Sequence, residues 1–279
     1  MIFIDAHVHL HGCYNASEFF DNAYRNLKHY YEKTGSFSEF IGVLFLAESA
    51  GVNCFNKFVK IADLKNSKYA SDTFGLWVFE RTNEKNSIIV SSGERKLILI
   101  AGHQVAAAED LELLMLGTTC KVPDGLSIFD LLEKAKQLSA LRVIPWGAGK
   151  WLFSRGKLLK KIIDLVEADN FFLGDEGGRP IFWPIPRHFH YAARKEIRNL
   201  PGTDPLPFPG EVSRAGSFGC WFKASMDWTR PAASILSAIC NPEIKLNCFG
   251  NLEKPFRFFY NQLRMQKRKR IKYHMDSAN

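Results

Sequence analysis

The chain predicts an α/β fold in which parallel strands are joined by crossover helices, and three observations carry that expectation. From residue 127 onward, amphipathic helical runs alternate with short apolar runs, which is the pattern of βαβ units. Each of these later apolar runs ends in a Gly-rich polar turn, where a parallel fold builds its active-site rim. No linker or low-complexity segment divides the 279 residues, a length at which barrel folds commonly form a single unit. Gly and Pro also end strands for purely local reasons; what points these turns toward a rim is that each carries an ionisable residue.

The elements follow in order. Ile4-Asp5-Ala6-His7-Val8-His9-Leu10-His11 reads as a first strand ending beside Gly12. Residues 17–33 carry aromatic and aliphatic groups at helical spacing, with Ser17 as N-cap. Residues 40–47 form an apolar strand leading to Glu48 and Ser49, and strands follow over 76–80, 87–92 and 96–107, the last two joined by a turn at Ser91-Ser92-Gly93-Glu94. The apolar run 111–118 comes next. A strongly amphipathic helix over 127–141 leads to a strand over 142–149, a helix over 157–168, a strand over 170–178 and an extended segment over 200–208.

Chemistry concentrates at the ends of these strands. Strict alternation on the first strand places Asp5, His7 and His9 on one face, and imidazole nitrogens with a carboxylate suit Zn, Mn or Fe. A polar solvent face would show the same alternation, but three of the eight histidines fall within five positions if His11 is counted. Asp175 in Gly174-Asp175-Glu176-Gly177-Gly178-Arg179, Asp204 in Gly202-Thr203-Asp204, and His103 join the candidates, with Glu48 behind them. His188 and His190 share a parity: extended, they face one way, whereas on a helix they lie about 200° apart and cannot both bind one ion.

DAHVH on the first strand, a charged residue ending a middle strand and the late Gly-Thr-Asp segment resemble the PHP family of metal-dependent phosphoesterases. The resemblance implies a distorted barrel of parallel strands, so that the expected fold is a single TIM-like (β/α) barrel over residues 1–263, with antiparallel additions in the 76–118 region and a basic tail over 264–279. It also implies metal ligation by His7, His9 and Asp204, to which Asp5 and His190 are added as further candidates for one or two divalent ions. Gln104 stands where the family has a Glu, Trp146 where a His is expected, and Leu206 where a second late His would follow the Asp.

The expected function is metal-dependent hydrolysis of a phosphate ester, with Asp204, Asp175 or His103 handling the proton. Lys150, Arg155, Arg179 and His188 are the candidates to bind a small anionic substrate. Two alternatives stand beside it: hydrolysis of a C–N bond in the manner of the amidohydrolases, and a degenerate barrel that binds metal or ligand without turnover. The formal charge of +8 suggests nucleic acid until it is located: residues 264–279 carry six bases and one acid, leaving +3 for everything before them. The aromatics at Phe256, Phe258, Phe259 and Tyr260 favour a terminal helix with a solvated basic end over a nucleic-acid platform. Six cysteines without paired close spacing read as free thiols of a reducing compartment, and no apolar run approaches the length of a membrane span, so a cytoplasmic protein is expected.

Overall fold

The computed structural model describes residues 1–64 and 75–276; the last three residues of the expected tail lie outside them. Eleven strands form one mixed sheet: β1 (Ile2–Val8), β2 (Ile41–Glu48), β3 (Val78–Arg81), β4 (Ser87–Ser92), β5 (Arg95–Ala106), β6 (Glu112–Leu116), β7 (Leu141–Pro145), β8 (Phe171–Gly174), β9 (Arg198–Asn199), β10 (Phe218–Phe222) and β11 (Asn247–Gly250). The helices are α1 (Ala16–Glu32), α2 (Cys54–Asp63), α3 (Ile128–Gln137), α4 (Phe153–Leu165), α5 (Arg187–Ala193), α6 (Pro231–Cys240) and α7 (Pro255–Asp276), with a 3-10 helix over Pro209–Arg214.

The order β11-β10-β1-β2-β5-β6-β7-β8-β9 corrects the expected closed parallel barrel. The sheet is an open half-barrel, and part of it is antiparallel. Two local causes reverse strand direction. The β5–β6 connection is a tight loop closed by the Ala107 N–H on the Leu111 carbonyl, and so short a loop joins only antiparallel neighbours. At the other end, β10 and β11 add to the edge of β1 in antiparallel sense. Closure fails because β9 has two residues and no ladder to β11. The six strands β1, β2, β5, β7, β8 and β9 nonetheless run the same way, since β6 is antiparallel to both β5 and β7. Their C-terminal ends still share one rim.

Packing follows strand parity. Ile2, Ile4, Ala6, Ile98, Ile100, Leu116, Val143 and Phe172 face inward, where Ala232, Ile235 and Ile239 of α6 fill the concavity. Phe3, Val8, Leu44, Leu97 and Leu99 face outward under α1 and α2. A third cluster packs α3, α4 and α5 against the outer faces of β6, β7 and β8. Between Asp5 and Val8 the β1–β2 register slips: Asp5 pairs with Leu44 and Val8 with Leu46, so three steps on one strand match two on the other. That bulge leaves Asp5 on the outward face and turns His7 inward, which strict alternation does not allow.

Helix α1 is capped by Asn15, whose side chain accepts from the Glu18 N–H, in place of the expected Ser17. Helix α7 runs without a break through the expected 263/264 boundary, so the basic segment continues the domain's last helix. No helix among the described residues is long and apolar enough to cross a membrane.

Candidate metal centre

Four side chains converge at the rim. His7 and His9 come from the end of β1, Gln104 from the inward face of β5, and Asp204 from the loop after β9. His7 Nε2 lies 3.0 Å from His9 Nε2, 2.9 Å from Gln104 Oε1 and 3.7 Å from Asp204 Oδ1, while His9 Nε2 is 3.4 Å from that oxygen. Ligand atoms about 2.0–2.1 Å from one ion stand about 2.8–3.0 Å apart at octahedral angles and about 3.3–3.4 Å apart at tetrahedral ones. Three of the four spacings fall in these ranges, and His7 to Asp204, at 3.7 Å, is longer.

A fifth residue sets the chemistry of the first. Glu176 Oε1 is 3.0 Å from His7 Nδ1. With the proton on Nδ1 donated to Glu176, Nε2 keeps its lone pair for the cluster, the arrangement in which a carboxylate orients a metal-binding histidine. Glu176 Oε2 is buried and has no hydrogen-bond partner among the described residues. Burial pushes Glu176 up to about 8. On His7, burial lowers proton affinity but Glu176 and Asp204 outweigh it and carry the imidazole up to about 10. Asp204 goes the other way: burial would raise it, yet His7 and His9 hold its carboxyl well below the ordinary range. Two carboxylates around neutral imidazoles leave negative charge that a proton or a divalent cation must meet. Imidazole nitrogens, a carboxylate and an amide oxygen fit Zn, Mn or Fe.

The backbone presents these groups under constraint. The Asp204 N–H donates to the His7 carbonyl at 2.8 Å, and the Ala6 N–H to the Pro201 carbonyl at 3.2 Å, so two hydrogen bonds bring this loop against β1. Asp204 has φ 44, a left-handed conformation that Asp tolerates better than most residues. Gly202 lies so close that a Cβ there would sit 2.3 Å from the His7 nitrogen. Only glycine allows that approach.

The other predicted residues lie elsewhere. Asp5 accepts from the Thr203 N–H and hydroxyl, the Gly216 N–H and the His7 N–H, so its carboxylate is spent holding the scaffold. Asp175 is gripped by Arg179 through two hydrogen bonds of 2.7 and 2.8 Å. His103 faces away from Gln104 on β5, opposite Glu48, whose carboxylate accepts from the Phe55 N–H at the start of α2. Lys150 pairs with Glu112, although it is near enough to help depress Asp204. The Arg155 guanidinium donates to the Gly149 carbonyl, at 3.1 Å. His188 bonds the Gly156 carbonyl at 3.0 Å and His190 is exposed, both on helix α5, so they do not share an ion.

Gln104 and Glu176 are the site residues that sequence reasoning passed over. Strand parity carries the signal for both: Gln104 is in phase with inward Ile98 and Ile100, and Glu176 with inward Phe172.

No family model and no curated protein matches this chain. Among solved structures it is similar to PsfC from Pseudomonas syringae PB-5123. The TM-score is 0.54 over 95% of this chain and 97% of that one, with 11% of residues identical. At that identity the likeness is one of fold.

Proposed function

We propose that this protein is a metal-dependent hydrolase acting on a phosphate ester at a single divalent metal centre. The observation that carries the reading is the convergence of the His7, His9 and Asp204 ligand atoms within 4.8 Å of one another, with Gln104 Oε1 2.9 Å from His7 Nε2 and Glu176 behind His7. A bound divalent cation supplies a Lewis acid that polarises a phosphoryl oxygen and acidifies a water. The chain's own residues do the rest. His7 is fixed by Glu176 and His9 stacks against His11, their ring centroids 5.3 Å apart. Asp204, whose side chain is 36% exposed where those of His7 and His9 are 2% and 8% exposed, is the charged group of the cluster open to an entering molecule and is assigned the proton transfer. Lys150 brings positive charge to the same rim. The amide-hydrolysis reading loses support because the Lys150 ammonium is taken by Glu112. Six free cysteines support a reducing, cytoplasmic setting.

Reconstitution of metal-free protein with Zn, Mn or Fe(II) tests the reading. About one ion per chain, a raised Tm and phosphate release from a panel of phosphate esters are expected, and His9→Ala should reduce all three to background. An unchanged Tm and no retained metal would sink it.

A further inference from the structure

Helices α4 and α5 carry a basic cleft that the metal centre does not use. It is an open depression of about 420 Å³ lined by Lys160, Arg187, His188, His190, Tyr191 and Arg194. Residues 153–165 and 187–195 hold seven Lys and Arg against one acid. That acid, Asp164, is already engaged: the Tyr191 hydroxyl donates to it at 2.5 Å and Lys195 Nζ lies 3.6 Å away. Arg155 on the same helix faces a different carboxylate, Asp110, at 3.9 Å. Lys160, Arg187 and Arg194 are exposed and make no ion pair among the described residues.

Three exposed cations without a carboxylate partner on one concave wall raise the local potential and so favour an anion there. Arg grips phosphate in two-pronged fashion and Lys meets it as a point charge. The volume exceeds what one phosphate fills and falls in the range of about 300–1,000 Å³ typical of organic ligands. Tyr191 supplies an aromatic wall, with Lys160 Nζ 5.2 Å from its ring centroid. His188, tied to the Gly156 carbonyl and set edge-on to Trp151 at 5.7 Å, anchors the base of α5 against α4. We propose that this cleft is a second binding site, separate from the metal centre, for an organic ligand carrying two or more phosphates. It shares no lining residue with His7, His9 or Asp204.

Calorimetric titration of the full chain with pyrophosphate and with ATP, in a chelator that strips the metal centre, tests the proposal. Binding with Kd below about 1 mM is expected, weakened about tenfold or more in Arg187→Ala and in Arg194→Ala and unchanged in His9→Ala. Both arginines are exposed, and far-ultraviolet circular dichroism checks that the variants fold. Sedimentation with phosphatidylcholine vesicles containing phosphatidylinositol bisphosphate separates the sources. Capture that depends on Arg187 and Arg194 assigns a lipid headgroup, and binding of ATP without capture assigns a free ligand. No heat with any probe and no vesicle capture, or affinity unchanged in the Arg187→Ala Arg194→Ala double variant, overturns it. So does binding lost in His9→Ala and kept in the arginine variants.

Discussion

His7 works through both of its ring nitrogens: Nε2 faces the cluster while Nδ1 holds Glu176, so the carboxylate decides which nitrogen is free. Glu176→Gln keeps the shape and removes the charge. It is expected to weaken Zn or Mn affinity about 10–100-fold with little change in Tm, measured by competition with a chromogenic chelator. The shared face of His7 and His9 is legible from strand parity, and Asp204 from the resemblance of the Gly202-Thr203-Asp204 segment; the three lie together in the structure. Asp5 was misread because nothing in DAHVH announces the extra residue between Asp5 and Val8. Glu176 was passed over for its neighbour Asp175, although counting alternation out from Phe172 points to Glu176 and turns Asp175 toward Arg179.

At the scale of elements, α7 is bound to the loop that carries Asp204. Arg264 lies over the Phe208 ring, 3.7 Å from its centroid, and Arg268 donates to the Pro207 carbonyl. Beneath them Arg214 and Glu253 form a buried ion pair, and Arg257 and Asn261 both donate to Glu211. The sequence reading gives this helix a solvated basic end. The packing predicts otherwise: ending the chain after Leu263 should cost about 1–2 kcal/mol, a Tm loss of about 2–5 °C by calorimetry, and should speed metal loss through the 205–214 loop. Amphipathic helices such as α1 and α3 were legible from their stripes. Helix α6 was not, because Pro231–Cys240 sits inside the sheet's concavity and is apolar on most sides, leaving no period to detect. The expected parallel barrel failed for a related reason: strand runs reveal their faces, while direction depends on loops such as 107–111.

For the whole molecule, the open edge between β9 and β11 is where integrity is decided. Arg198 on β9 donates to the carbonyls of Ile239, Asn241 and Ile244, pinning that edge to the end of α6 and the segment leading to β11. Arg198→Met leaves these carbonyls without their donor and is expected to cost about 2–4 kcal/mol in urea unfolding, with metal affinity falling in parallel. The hydrogen bond from the Asp204 N–H to the His7 carbonyl has a further consequence, in time instead of space. His7 and His9 are made at the end of β1, but Asp204 follows only after β2 to β9, the eight further strands described before it. A nascent chain therefore offers an ion two imidazoles and no pocket, and tight metal capture becomes a late event that reports completed assembly.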